Sequence, residues 1–232
     1  MTVAAVILAA SEASALTPVE GLPRVRRLAD IAWSGGALPI IVVAGDPDEK
    51  VARALDGAPV TLADPAPEVS GPVGQIVRGI DLAISEIDDT DAALIWPARM
   101  VWVGPETVTS LIEAHGLYPG QMLRPAYQGK AGWPTLLPVG FLPTLRALAA
   151  DRMPDDLMTD LEGQGVPTRT IDLGDPGTSF DARTTRTELP AYVGPAAPVG
   201  GHTHEWGAAA AETPEDAPLA GPPRARMARE PG

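Results

Sequence analysis

Two serines, Ser11 and Ser14, lie in a short polar segment directly after an apolar run over residues 3–9. The loop that follows the first strand of an α/β protein commonly holds a nucleotide phosphate. Such loops use glycine backbone and cationic side chains, yet the first glycine here is Gly21 and the first basic residue is Arg24. The position of the segment therefore predicts phosphate binding, whereas its residue types argue against it. We assign no nucleophile, because no general base is close in sequence.

A second candidate site is the motif His202-Thr-His204-Glu-Trp206 near the end of the chain. Two histidines at this spacing and a carboxylate are able to share a metal ion. Isolated polar residues in a flexible arm are the simpler interpretation, so we assign no metal. Tryptophan is enriched at binding hot spots, and glycines flank this motif. We therefore predict that His202, His204 and Trp206 dock a partner.

Composition limits the chemistry and the partners of the chain. It has 232 residues, no cysteine and a formal net charge of −13. The absence of cysteine excludes disulfides, thiolate nucleophiles and Cys-ligated zinc, and it fits a reducing cytoplasm. The negative charge argues against a nucleic-acid partner, and no apolar run approaches the roughly 18 residues of a membrane span. We expect a cytoplasmic protein that binds neither nucleic acid nor membrane; its oligomeric state is not assigned.

The elements that must position these residues alternate between strand and helix patterns. Short, β-branched apolar runs predict buried strands at 3–9, 39–44, 59–63 and 92–96. Helical apolar spacing predicts helices over 23–34 and 75–86, and a third helix begins near Pro105. Beyond these, we expect hairpin-like strands around 132–137 and two helices near 140–163. This alternation predicts a three-layer α/β fold with a mostly parallel sheet.

From about residue 190 the composition changes to alanine, proline and glycine. Such a segment buries too little apolar surface to offset the entropy of ordering it. We therefore predict one domain over residues 1–189 and a disordered or extended arm over residues 190–232.

Six short motifs occur along the chain in an order shared with a known family. They are Leu8-Ala-Ala, Ala15-Leu-Thr-Pro-Val-Glu-Gly-Leu-Pro23, Gly71-Pro-Val-Gly74-Gln-Ile, Val101-Trp-Val-Gly-Pro-Glu-Thr107, Gly129-Lys-Ala-Gly-Trp-Pro134 and Ser179-Phe-Asp-Ala-Arg183. Together they resemble the MobA-like nucleotidyltransferases, which activate molybdopterin or sugar phosphates with a nucleoside triphosphate. The resemblance covers about residues 3–189. It implies a Rossmann-like, three-layer α-β-α fold of the nucleotide-diphospho-sugar transferase type.

The residues that would perform the chemistry of this family are replaced. Its N-terminal loop supplies a glycine and two basic residues to the triphosphate, but here only residues 11–14 separate the two matching ends, and Glu12 is acidic. The resemblance places the two metal-binding aspartates at Arg99 and Arg183 and a family histidine at Trp133. Mg²⁺ requires oxygen ligands. We therefore expect no metal and no cofactor.

Three interpretations of Arg99 and Arg183 stay open. The two side chains are solvated or paired with acids such as Asp181, or they form a metal-free site that grips phosphate or carboxylate, or one of the positions is aligned incorrectly. The candidate anion or nucleotide cleft comprises these residues: Ser11, Ser14, Gly71, Gly74, Arg99 and Arg183.

We predict a degenerate, non-catalytic nucleotidyltransferase-like protein that acts as an accessory, scaffold or binding protein. Its partner would be a protein docked through residues 190–232, linked to molybdoenzyme maturation by resemblance alone. One alternative is an active Mg²⁺-dependent enzyme that transfers a nucleotidyl group from an NTP to a phosphorylated acceptor, such as molybdopterin or a sugar phosphate. Asp64 and Asp181 would then be the first metal ligands to examine. The other alternative is a metal-free phosphate- or anion-binding protein.

Overall fold

An eight-stranded sheet forms the centre of the domain in a computed structural model, which describes residues 2–9 and 11–194. A small separate hairpin pairs β2 with β3. The strands are β1 (Thr2–Ala9), β2 (Pro18–Val19), β3 (Leu22–Pro23), β4 (Ile40–Ala44), β5 (Thr61–Ala63), β6 (Thr90–Pro97), β7 (Met122–Tyr127), β8 (Lys130–Ala131), β9 (Thr135–Pro138) and β10 (Thr168–Asp172).

The sheet is mostly parallel, as predicted. Its order is β10-β7-β9-β6-β1-β4-β5, with β8 paired to β7. Strand β1 lies parallel to both β4 and β6, and β9 is inserted antiparallel between β6 and β7. Because β1, β4 and β6 run in the same direction, their carboxyl ends meet at one edge of the sheet. This edge is where open α/β sheets usually bind ligands.

Helices cover the sheet and complete the predicted three-layer α/β fold. Helices α2 and α4 both contact β1 and β4; α2 packs with α5, whereas α4 packs with α6 and α7. The helices are α1 (Glu12–Leu16), α2 (Arg24–Ser34), α3 (Lys50–Ala54), α4 (Gly71–Glu86), α5 (Pro105–Leu117), α6 (Leu142–Arg146) and α7 (Pro154–Gly163). None of the described helices is long and apolar enough to cross a membrane.

The core lies between the central strands and the helices on both faces of the sheet, α4 on one face and α2 and α5 on the other. Trp96 of β6 is fully buried, and its indole N–H donates to the carbonyl oxygen of Met100 at 3.0 Å. Gly79 of α4 faces β1, and a Cβ at this position would overlap the side chain of Val6. The glycine therefore allows α4 to approach the sheet closely, which fixes the start of α4 beside the carboxyl edge.

The described residues after residue 189 contact the rest of the domain. They belong to the compact unit that ends at Gly194, and the Val193 amide donates to the carbonyl oxygen of Gly174 at 3.0 Å. Residues 195–232, with His202, His204 and Trp206, lie outside the described residues. The division at residue 190 and the extended arm therefore stay predictions.

His115 is a buried histidine near the end of α5, with 1% of its surface exposed. Among the described residues, its Nδ1 finds no hydrogen-bond partner. A helix C-terminus favours a protonated imidazole, but burial lowers the pKa of His115 below its ordinary value, and the nearby Asp91 only partly opposes this effect. The imidazole is therefore neutral at pH 7.

We expect stability to fall as the pH drops below about 6.5, the ordinary histidine pKa. Well above this pH the His115 imidazole is neutral in both the folded and the unfolded chain. Below it, the imidazole takes up a proton in the unfolded chain but not yet in the folded chain, where its pKa is lower. One such proton gives a slope of at most about 1.4 kcal/mol per pH unit. Urea denaturation between pH 7.5 and 5.5 measures the slope, and His115→Gln should reduce it. An equal slope in both proteins would contradict the assignment.

Candidate functional site

A cavity of about 600 Å³ opens at the carboxyl edge of the sheet. Leu8, Val43 and Pro97 line it from the ends of β1, β4 and β6. The start of α4 and the start of α7 also line it. Of the predicted cleft residues it is lined by Ser11, Gly71 and Arg99, whereas Ser14, Gly74 and Arg183 do not line it.

The segment after β1 is a capped helical turn, where the sequence suggested a loop. The Ser14 amide donates to Ser11 Oγ at 3.1 Å, and the Ser11 amide donates to Ser14 Oγ at 2.9 Å. The Ser14 hydroxyl also donates to the Ser11 carbonyl oxygen at 2.7 Å. This reciprocal capping box satisfies the first backbone donors of α1. The two serines thus bond to each other within the chain.

A lysine from α3 contacts the same segment and is held by acidic side chains. Lys50 Nζ lies 3.0 Å from Glu12 Oε1 and 3.1 Å from Asp48 Oδ2. Hydrogen bonds to Glu12 and Asp48 raise the pKa of Lys50. Its positive charge is therefore balanced locally.

Arg99 belongs to a network that joins the end of β6 to α7. Its Nη2 lies 2.9 Å from Oδ1 and 2.7 Å from Oδ2 of Asp155. The indole N–H of Trp133 donates to the same Oδ1 at 2.8 Å. Asp155 thus connects the two residues that stand where the resemblance places a metal-binding aspartate and a histidine. Sequence reasoning missed this carboxylate, although its place in the first turn of a proline-led helix is typical of an acidic residue.

Arg183 pairs with Asp181, the acid that the sequence suggested. Its Nε lies 3.0 Å from both carboxylate oxygens, and 91% of its side chain is exposed. Burial of Asp181 opposes ionisation, but hydrogen bonds from Arg183 and the charges of Arg183 and Arg99 lower the pKa of this carboxyl overall. The Ala182 amide donates to the Arg99 carbonyl oxygen at 2.8 Å, which holds this segment beside Arg99. Both arginines are ion-paired with carboxylates.

A model of the MobA-like NTP transferase domain matches residues 5–165. The chain belongs to this family. No curated protein sequence matches it significantly.

Solved structures of nucleotidyltransferases share the fold of this MobA-like domain. A nucleotidyl transferase from Methanothermobacter is 19% identical, with a TM-score of 0.60 over 74% of this chain and 87% of that chain. The 2-C-methyl-D-erythritol 4-phosphate cytidylyltransferase from Thermus thermophilus is 15% identical, with a TM-score of 0.61 over 82% and 96%. Rv0371c from Mycobacterium tuberculosis H37Rv, solved in complex with manganese, is 17% identical, with a TM-score of 0.57 over 74% and 88%. These similarities confirm the nucleotide-diphospho-sugar transferase type of fold.

The glycines of the MobA-like domain at the start of α4 are required by contacts within the chain. Gly71 has a φ of +55°, and a Cβ there would overlap the carbonyl oxygen of Ala150. A Cβ at Gly74 would overlap the side chain of Ser70. In this structure the chain itself therefore packs against both of these candidate cleft residues.

The donor set at the expected metal position of the MobA-like domain does not fit Mg²⁺. Mg²⁺ takes carboxylate, carbonyl and water oxygens, whereas Arg99 and Arg183 present guanidinium groups, which have no acceptor atoms. Within residues 2–9 and 11–194, no three His, Asp or Glu side chains are grouped so as to hold a metal ion. Asp64, an alternative ligand, is exposed after β5 and does not line the cavity.

Proposed function

We propose that this MobA-like domain does not transfer nucleotides and acts as a binding protein, in an accessory or scaffold role. The observation that supports this proposal is the network of Arg99, Asp155 and Trp133 at the expected metal position. Nucleotidyl transfer depends on positioning and on neutralising the charge of the phosphates. A guanidinium that is already paired with a carboxylate contributes little of that neutralisation.

The N-terminal segment supports the same conclusion. A phosphate cradle presents unpaired backbone N–H groups and cations to its ligand. Here Ser11 and Ser14 satisfy each other's amides, and Lys50 is balanced by Glu12 and Asp48. A triphosphate would therefore meet an acidic side chain and few available donors.

The two alternative functions require charges that the described cleft does not leave available. An active enzyme that uses Asp64 and Asp181 needs both carboxylates at one site, but Asp181 is paired with Arg183. An anion-binding protein would depend on the positive charge of Arg99, but Asp155 already balances this charge. Breaking either pair to admit a ligand would offset part of the binding free energy.

The predicted partner is a protein, docked through residues 190–232. His202, His204 and Trp206 lie outside the described residues, so this part of the proposal rests on the sequence. The molybdoenzyme context likewise rests on the resemblance of the domain to its family.

We expect that neither CTP nor GTP raises the unfolding temperature, with or without Mg²⁺. A ligand at 100 times its dissociation constant would add about 2.7 kcal/mol, which corresponds to a shift of several degrees for a domain of this size. Thermal unfolding at millimolar nucleotide measures the effect. An increase abolished by EDTA would contradict the proposal in favour of an active enzyme. An increase indifferent to EDTA would favour the anion-binding alternative.

A matched pair of variants tests whether the positive charge of Arg99 is what excludes Mg²⁺ from the site. Arg99→Asp adds a carboxylate beside Asp155 and near Asp181, so this variant should be less stable in EDTA and recover stability with Mg²⁺ alone. Arg99→Asn removes the same cation without adding a carboxylate and should show no such recovery. Identical responses to Mg²⁺ would show that the arginine is not what excludes the metal.

A further inference from the structure

The cavity at the carboxyl edge is lined mainly by apolar side chains. Leu8, Val43 and Met153 line it together with five prolines: Pro47, Pro65, Pro72, Pro97 and Pro154. Cavities of several hundred Å³ with apolar walls and a few polar groups are typical small-molecule sites. A nucleoside triphosphate, with its multiple negative charges, is poorly matched to such walls.

The charged side chains that line the cavity leave one carboxylate unpaired. Arg99 is paired with Asp155, and Glu12 is paired with Lys50. The exposed Glu68 carboxylate makes no ion pair or hydrogen bond within residues 2–9 and 11–194. The local charge presented to a ligand is therefore negative, which repels phosphate and attracts a cation.

The walls of the cavity are held in place by contacts within the chain. The Ala66 amide donates to Gln75 Oε1 at 2.8 Å, and Gln75 Nε2 donates to the Ala66 carbonyl oxygen at 3.0 Å. This pair of bonds fixes the segment that carries Pro65. At the start of α4, the same helix that carries Gln75, Gly71 packs against the backbone of Ala150. A preformed cavity binds its ligand without a large ordering cost.

We infer that the cavity binds a small organic molecule with an apolar body and a single positive charge, an amphipathic amine. The apolar body packs against the proline-lined walls, and the ammonium group lies towards Glu68. The inference rests on the proposed loss of nucleotide transfer, because a nucleotide would occupy the same space.

Three probes with one ring system and different charges test this inference. They are 1-naphthylmethylammonium, 1-naphthylmethanol and 1-naphthoate, each titrated into the isotope-labelled full chain while amide NMR signals are followed. We expect the amine to bind tightest and the carboxylate weakest, with the signals of Gly45 and Gly71 perturbed. A single exposed charge pair changes affinity by about two- to fivefold. Binding of no probe, equal binding of amine and carboxylate, or perturbation only elsewhere would overturn the inference.

Three variants test whether the probes bind in the cavity and whether the Glu68 carboxylate selects the amine. Glu68→Gln should remove most of the preference for the amine over the alcohol; an unchanged preference would overturn the role of Glu68.

Gly45 lines the cavity, and a Cβ added there would lie 3.9 Å from Pro65 Cγ. Gly45→Leu should therefore fill the space and weaken the binding of all three probes about tenfold or more. Gly163→Leu adds the same side chain outside the cavity, where a Cβ meets no other described residue within 4 Å, and should leave binding unchanged. If Gly45→Leu does not fold, the amides perturbed in the unmodified chain still show whether the probes bind in the cavity.

The same NMR titrations distinguish failure of the amine inference from failure of the proposed function. Perturbation of the Gly45 and Gly71 amides by CTP or GTP that requires Mg²⁺ would contradict the proposed loss of nucleotide transfer. Failure of the amine probe, with no response to nucleotide, would contradict only the amine inference.

Discussion

Replacing Asp175 with alanine is expected to lower the free energy of unfolding by about 3–5 kcal/mol, since several buried donors lose their acceptor at once. Asp175 is only 3% exposed. Its Oδ2 accepts from the Gly104 amide at 2.9 Å and from the Thr107 hydroxyl at 2.7 Å, and its Oδ1 accepts from the Gly177 amide at 2.8 Å. Thr107 and Gly177 are buried as well, so their donors are held where Asp175 is the acceptor. Such a loss is a large part of the stability of an ordinary domain.

Chemical denaturation measures this loss, and a nearby exposed aspartate provides the control. Asp172 accepts from the amides of Gly129 and Gly174 at 3.3 and 3.1 Å, but it is exposed to solvent. Asp172→Ala should therefore change stability by no more than about 1 kcal/mol. Equal effects of the two substitutions would show that burial of the Asp175 carboxylate is not the source of its contribution.

The expected effect of Asp175→Ala extends towards the candidate site. Asp175 holds the turn Pro176–Thr178 against the start of α5. The Thr178 carbonyl oxygen accepts from the Trp133 amide at 2.9 Å, and a Cβ at Gly177 would overlap the backbone of Trp102. The turn therefore supports Trp133, which in turn contacts Asp155 beside the cavity.

Much of the sheet was predictable because its central strands are buried on both faces. Residues 3–9 and 92–96 are continuous apolar runs, and they form β1 and β6. Strand β10 (Thr168–Asp172) was not predicted, because it is largely exposed or half-buried and carries no apolar run. Helix α3 (Lys50–Ala54) is too short for an apolar period to identify it.

The sequence predicted where the residues of the candidate site lie along the chain, but it predicted fewer of the contacts between them. The resemblance identified Arg99 and Trp133, but their shared partner Asp155 is 56 residues from Arg99 in sequence. Local patterns do not indicate such a pairing, because only the folded sheet and α7 bring the residues together. The sequence predicted a loop after β1, because serines such as Ser11 and Ser14 are common in loops. Their reciprocal capping depends on side-chain geometry, which the residue types alone do not give.

Replacing Trp133 with alanine is expected to destabilise the domain by about 3–5 kcal/mol, the usual cost of removing a buried aromatic side chain. Trp133 is 4% exposed and belongs to the core. The substitution also removes the N–H donor to Asp155. Urea denaturation, followed by circular dichroism so that the lost tryptophan does not affect the signal, measures the change.

Trp133→Phe separates packing from hydrogen bonding at the same position. Phenylalanine keeps most of the buried volume and removes the bond to Asp155, so this variant should lose only about 1–2 kcal/mol. Equal losses in the two variants would mean that the bond, and not the packed ring, dominates. The expected inequality would show that the position where the resemblance places a histidine now serves mainly the core.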